Sequence, residues 1–173
     1  MIKGIAKDIA ISAMTAALLV CGKLVISFIP NVEVITPLII ITTCAFGYKR
    51  VLPAVLVFCL LDNFLYTFYY IVTIQYFIHW PLLCVLSEVT FRIFRENSLA
   101  FAFLALVSAL LFWVETPALH HIFKITLFLP TLISGIPFML PMAIGGFIFT
   151  LLAYRPLYGV LTKQVLGGLG RQR

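Results

Sequence analysis

Long apolar stretches dominate the chain to about residue 154, and short polar or proline-containing connections separate them. A transmembrane helix needs about 20 consecutive, mainly apolar residues. On that basis we divide the chain into segments 5–29, 34–47, 51–68, 70–91, 98–116 and 131–154. The pattern predicts an all-α integral membrane protein in which residues 1–173 form one domain, a six-transmembrane-helix bundle.

Two regions of this pattern are unusual. Segment 34–47 would extend only about 21 Å as a helix, less than the hydrocarbon thickness of about 30 Å, so we expect neighbouring helices to shield its ends. Residues 117–130 begin and end with proline, which predicts a long loop that contains a short interfacial helix.

Composition separates the chain from soluble proteins. It is 63% hydrophobic and 10% charged, whereas a soluble domain has about 25% charged residues. The four cysteines lie inside apolar segments without a CxxC pair. They are predicted to be buried small hydrophobic residues, and neither a metal site nor a disulfide is expected.

The net charge is +6, and its distribution predicts the orientation. With six crossings, most basic residues fall on one side: Lys3, Lys7, Lys49, Arg50, Arg92, Arg95, Arg155, Lys163, Arg171 and Arg173. Only Lys124 falls on the other side, and Lys23 lies within the first segment. Because positive residues are retained in the cytoplasm, both termini are predicted to be cytoplasmic, in a multi-pass protein of the cell membrane.

The outer half concentrates polar and aromatic side chains. Ionisable groups inside a membrane are costly and usually functional, and an apolar cavity with a few polar groups is typical of a small-molecule site. The candidate ligand-binding residues are Lys23, Asn31, Glu33, Asp62, Asn63, Tyr66, Tyr76, His79, Trp80 and Glu115. Tyr76, His79 and Trp80 have helical spacing and are expected to share one face.

Structural roles are an alternative for several of these residues. Tyrosine and tryptophan at a membrane boundary commonly form an interfacial belt. Asp62 and Asn63 could simply end a helix, and Glu33 could cap the next one. Lys23 could extend towards the interface, or pair with Glu33, Asp62 or Glu115.

A second group of candidate residues, four alanines, lies in the predicted cytoplasmic half of the first segment. Ala6, Ala10, Ala13 and Ala17 follow helical spacing and place four methyl groups on one face. Small residues allow membrane helices to approach closely, so this alanine stripe predicts a docking surface for a partner. The alternative is packing inside the protein's own bundle.

Motifs of enzymes are absent from the sequence. There is no GxxxxGK[ST] phosphate loop, no HExxH and no GxSxG. We therefore expect a non-catalytic protein. Two alternatives make different demands. A membrane enzyme would require Glu33, Asp62 and His79 to converge. A stand-alone carrier or channel would have polar residues through the middle of the segments, and we expect the middle of the segments to lack polar residues.

Five stretches carry a family resemblance: Ala13-x-x-x-Ala17, "FIPNVEVITPLI", "FGYKR", "DNFLY" and "HWPLL". In these the chain resembles the substrate-binding S components of energy-coupling factor (ECF) vitamin transporters, which are ABC-type importers. The resemblance covers roughly the first 90 residues; the remainder is similar only in topology.

The resemblance implies a six-helix bundle in a prokaryotic plasma membrane that takes up a vitamin near its outer face. The loop after the first helix, with Asn31 and Glu33, would cover the pocket. The alanine stripe would dock on a transmembrane coupling subunit, and two cytoplasmic ATPases would bind and hydrolyse ATP. No cofactor of its own and no nucleic-acid partner is implied. Cobalamin is the first candidate ligand, with pyridoxine and hydroxymethylpyrimidine as alternatives.

Overall fold

The computed structural model describes residues 2–26, 33–65 and 69–165, and these residues form helices without a strand. The helices are α1 (Ile2–Ile26), α2 (Ile35–Phe46), α3 (Tyr48–Leu65), α4 (Tyr70–Phe94), α5 (Ser98–Ile122), α6 (Phe128–Ser134) and α7 (Ile136–Val160), followed by a π-helical turn, Leu161–Val165. The prediction of an all-α architecture is confirmed for the described residues.

Four of the described helices, α1, α4, α5 and α7, are long and apolar enough to cross a membrane. This confirms the prediction of a membrane protein at the level of helix length and composition. Helix α2 is shorter, and α3 carries Lys49, Arg50 and Asp62 among its 18 residues. The count of six spans remains a prediction.

The short helix α2 lies at the centre of the bundle. It contacts α1, α3, α4, α5 and α7, and 11 of its 12 residues are buried. Its length is about 18 Å at 1.5 Å per residue. A helix that is apolar on all sides is stable only when other helices surround it, and this position explains how so short a segment is accommodated.

Two ion pairs define the relative directions of α1 and α3. Asp8 of α1 pairs with Arg50 of α3 at 2.6 Å, and Lys23 of α1 pairs with Asp62 of α3, also at 2.6 Å. Helices α1 and α3 therefore run in the same direction, and α2 returns between them. We call the end of the bundle that contains the Asp8–Arg50 pair the proximal end, and the end that contains the Lys23–Asp62 pair the distal end.

A single glycine forms the turn between α2 and α3. Gly47 has φ 86°, a conformation that glycine adopts without steric cost. Its N–H donates to the Thr43 carbonyl at 2.8 Å, and its own carbonyl accepts from the backbone of Arg50. The glycine thus reverses the chain within one residue, at the proximal end of the bundle.

The prediction of a loop across residues 117–130 is wrong for its first part. Helix α5 continues through Pro117, which is buried, and ends at Ile122. Proline is tolerated inside membrane helices. On either side of Pro117, the Thr116 hydroxyl and the His120 ring bond to the carbonyls of Phe112 and Thr116, one turn earlier. The short helix is α6, and Gly135 separates it from α7, so segment 131–154 spans two helices.

Helix α6 is held against α5 by one tryptophan. Trp113 Nε1 donates to the Leu132 carbonyl at 2.9 Å. A Cβ atom added to Gly135 would lie 2.9 Å from the same Nε1. The indole therefore occupies the space that only a glycine at position 135 leaves open.

The close contact between Gly135 and Trp113 predicts that Gly→Ala substitutions at two positions change the free energy of unfolding in opposite directions. Gly135→Ala is expected to lower the free energy of unfolding by about 1–3 kcal/mol, because the methyl group displaces the Trp113 ring. Gly145→Ala is the matched control, since a Cβ there meets nothing within 4 Å, and it is expected to stabilise α7 by up to about 1 kcal/mol. Thermal unfolding of both variants in detergent measures the difference; equal stability would contradict the packing.

The cysteine prediction is correct for three positions. Cys44, Cys59 and Cys84 are buried, but Cys21 is exposed. Cys21 lies on a face of α1 that no other described helix covers, which apolar spacing alone did not indicate.

Candidate functional site

A buried ion pair is the centre of the distal cluster. The ammonium group of Lys23 lies 2.6 Å from Asp62 Oδ1 and donates to the Tyr76 hydroxyl at 3.3 Å. The Asp62 side chain is 7% exposed and that of Lys23 is 25% exposed. Of the three carboxylates that the sequence offered as partners for Lys23, the structure selects Asp62.

Aromatic rings surround this cation. The Lys23 nitrogen lies 5.0 Å from the centre of the Tyr76 ring and 5.9 Å from that of Phe58. Such cation–π contacts are strengthened where water is excluded. They stabilise a largely buried charged group, which would be costly without partners.

Asn63, the neighbour of Asp62, has a structural role in the described conformation. Its amide donates to the Cys59 carbonyl of the same helix at 2.7 Å and accepts from the Thr73 hydroxyl of α4. Asn63 therefore joins the end of α3 to the beginning of α4. This arrangement agrees with the alternative in which Asn63 ends a helix.

A second polar cluster connects α4 and α5. His79 Nδ1 lies 2.9 Å from Glu115 Oε2, and His79 Nε2 lies 2.9 Å from the Ser108 hydroxyl. His79 and Ser108 are each 2% exposed. The serine, imidazole and carboxylate follow one another as in a hydrolase triad, but the burial of Ser108 leaves its hydroxyl closed to a substrate in this conformation.

Gln75 adds to this connection between α4 and α5. Its amide donates to the Phe112 carbonyl at 2.9 Å and to the Thr116 hydroxyl at 2.8 Å. Gln75, Ser108 and Thr116 were not among the predicted site residues. Each is a polar side chain inside a long apolar segment, and this feature is visible in the sequence. They were not predicted because, unlike most of the candidates in these helices, they are neither ionisable nor aromatic.

The aromatic face of α4 is arranged as its spacing predicts. Trp80 packs against Tyr76 at 5.7 Å and against His79 at 4.7 Å between ring centres, and stacks on Phe112 of α5 at 5.8 Å. Trp80 is 4% exposed, and its Nε1–H has no acceptor among the described residues. An unpaired buried donor is uncommon in native structures.

Glu33 lies in the connection that precedes α2. The Thr36 hydroxyl donates to Glu33 Oε1 at 3.0 Å. Burial raises the pKa of the Glu33 carboxyl, so its protonated form persists to a higher pH than that of an ordinary glutamic acid. Asn31 and Tyr66, also predicted to bind ligand, lie outside the described residues.

A distal cavity of about 390 Å³ lies between α5, α6 and α7. Among the described residues its walls include Trp113, Thr116, Phe138 and Met142, and none of the predicted ligand-binding residues. The predicted residues therefore form packed clusters beside this cavity.

The expectation that the middle of the segments lacks polar residues is wrong. Thr15, Thr42 and Thr150 are fully buried within α1, α2 and α7. Each hydroxyl donates to a carbonyl of its own helix, four residues earlier. Because their hydrogen bonds are satisfied within the helix, these residues do not mark a polar path between the two ends.

The alanine stripe faces away from the bundle. Ala6, Ala10, Ala13 and Ala17 are all exposed, whereas Leu19 on another face of α1 is fully buried. The alternative in which the stripe packs inside the protein's own bundle does not fit these positions. The stripe is available to lipid or to another protein.

Groups of histidine, cysteine and carboxylate side chains suited to a metal ion are not found among the described residues. A scan against protein-family models and searches of curated proteins and of solved structures returned no match.

Proposed function

We propose that this chain is the substrate-binding subunit of an ECF-type importer. It binds a vitamin at the distal end and delivers it through a transmembrane coupling subunit, while two cytoplasmic ATPase subunits hydrolyse ATP. The chain itself is non-catalytic and has no cofactor of its own. It resides in a prokaryotic plasma membrane with six crossings and both termini in the cytoplasm, so that the distal end faces outwards.

The observation that carries this proposal is that the two ends of α1 have different surroundings. Towards its distal end the helix contributes Lys23 to a buried polar cluster, and towards its proximal end it presents four exposed alanines. Small residues on an exposed helix face favour close contact with another membrane helix. A ligand-binding end and a docking face on one helix suit a subunit that passes its cargo to a partner.

The proposed ligand site uses the distal cluster and Glu33, which precedes α2. Tyr76, His79 and Trp80 offer aromatic surface to a ligand. The ring nitrogens of His79 and the Tyr76 hydroxyl already have partners, so the unpaired Trp80 Nε1–H is the donor that a ligand carbonyl or amide can satisfy. Cobalamin is the first candidate, and pyridoxine or hydroxymethylpyrimidine are the alternatives. A ligand with several phosphates is disfavoured, because Lys23 already has a carboxylate partner.

Small molecules that co-purify with the detergent-solubilised chain test this proposal. Mass spectrometry is expected to detect one of the three vitamins in the wild-type preparation. Trp80→Phe keeps an aromatic ring but removes the Nε1–H, and is expected to reduce the recovered vitamin. Finding none of the three above the amount in a mock purification from the same host would contradict the proposed ligand class.

A stand-alone carrier or channel is the second candidate, because four described helices are long and apolar enough to span a membrane. Transport of the vitamin by the purified chain in liposomes, without ATPase subunits, would favour it. The buried threonines bond within their own helices, and this arrangement argues for a receptor over a conducting path.

A further inference from the structure

A groove at the proximal end is unrelated to the distal clusters. It has a volume of about 1060 Å³ and lies between α1, α3 and α4, beside the Gly47 turn. Among the residues that the structure describes, four cations and two carboxylates line it, together with apolar side chains of α1; the charged residues are Lys49, Arg50, Arg92, Arg95, Asp8 and Glu88. These side chains give the groove a net charge of +2.

Two of the four cations are already paired within the groove. Arg50 lies 2.6 Å from Asp8, and Arg92 lies 3.3 Å from Glu88 one turn earlier in α4. Lys49 and Arg95 are exposed and form no ion pair with any described residue. The excess positive charge of the groove is therefore concentrated at Lys49 and Arg95.

The backbone of Arg95 provides an independent observation. Arg95 ends α4 with φ 56° and ψ −125°, a region that residues with a Cβ atom rarely adopt. Glycine would adopt this conformation at lower cost. Strained positions persist only where the surrounding structure holds them, and they cluster at active sites and ligand clamps. Here the Arg95 side chain lines the groove.

Apolar side chains lie directly beside these cations. Ile5 and Ile9 of α1 line the same groove and are 55% and 64% exposed. The groove thus combines unpaired cations with an exposed apolar wall at the end of a membrane helix bundle. Phospholipids have this combination of an anionic phosphate and an acyl chain, and basic pockets between membrane helices bind such headgroups.

We propose that this groove binds the phosphate-bearing headgroup of an anionic phospholipid. Lys49 and Arg95 contact the phosphate, and Ile5 and Ile9 contact the upper part of an acyl chain. The site is independent of the vitamin proposed at the distal end, because the two lie at opposite ends of the bundle.

Native mass spectrometry of the delipidated full chain tests the site with two probes, phosphatidylglycerol and phosphatidylcholine of the same acyl chains. The wild type is expected to retain phosphatidylglycerol preferentially. Arg95→Gly removes a cation and also relieves the backbone strain, so it is expected to weaken phosphatidylglycerol binding about fivefold while raising the melting temperature. Lys49→Gln is expected to weaken binding to a similar extent.

Arg155→Gln is the matched control, because Arg155 is an exposed cation near the end of α7 that does not line the groove. It is expected to leave phosphatidylglycerol binding unchanged. Equal binding of the two lipids, or an equal loss in Arg155→Gln and Arg95→Gly, would overturn the proposal. Displacement of the lipid by inorganic phosphate in excess would assign the groove to a soluble phosphate compound and would also overturn it.

Discussion

Under the proposed function, replacing Ala13 and Ala17 together by tryptophan is expected to reduce vitamin uptake about hundredfold, because each bulky ring costs about 1–3 kcal/mol in a close helix contact. Both alanines are exposed on α1. The indole rings would hold a partner helix away from the backbone of α1, as small residues are needed for close approach. Uptake of radiolabelled cobalamin by cells that co-express the coupling subunit and ATPases measures the effect.

Two further measurements make this prediction specific to docking. Co-purification of the coupling subunit is expected to fall with uptake, whereas vitamin binding by the isolated variant is expected to persist. Ile148→Trp with Leu152→Trp is the matched control, since these residues are also four positions apart and are 49% and 70% exposed on α7. If the control pair impairs uptake as strongly as the alanine pair, α1 is not a dedicated docking face.

The second large effect is expected from Lys23→Met. This change leaves Asp62, which is 6% exposed, without its ion-pair partner. Breaking a buried pair on one side costs about 3–5 kcal/mol, and the partial exposure of Lys23 places the expected loss near the lower value. Equilibrium unfolding in mixed micelles, followed by tryptophan fluorescence, measures it.

A double variant separates the loss of the pair from the loss of packing. Lys23→Met combined with Asp62→Leu replaces both charges by apolar groups and is expected to recover most of the stability, because no charge is left buried without a partner. Lys124→Met, a change of an exposed cation between α5 and α6, serves as the control and is expected to be neutral. A loss in Lys23→Met no greater than in Lys124→Met would show that the pair contributes little.

Several features of the site follow from local sequence. The spacing of Tyr76, His79 and Trp80 predicted a shared face, and the Trp80 ring contacts the rings of both Tyr76 and His79. The presence of a charged residue such as Lys23 in an apolar segment signalled a functional or paired group. These inferences hold because helical periodicity depends on residues within a few turns of one another.

Other features could not be derived from the sequence. The local pattern could not decide which carboxylate pairs with Lys23, nor that Ser108 and Glu115 bond to opposite sides of His79. Both depend on how helices distant in sequence are placed against each other. Pro117 was misread because proline commonly ends a helix, whereas α5 continues through it and buries it.

The sequence by itself determined an all-helical chain with helices apolar and long enough for a membrane, because apolar composition and helix length are properties of each segment alone. The tertiary structure decided the burial of α2, the outward direction of the alanine stripe and the convergence of Lys49 and Arg95 on one groove. A helix fixes which residues share a face, but the packing of its neighbours decides where that face points.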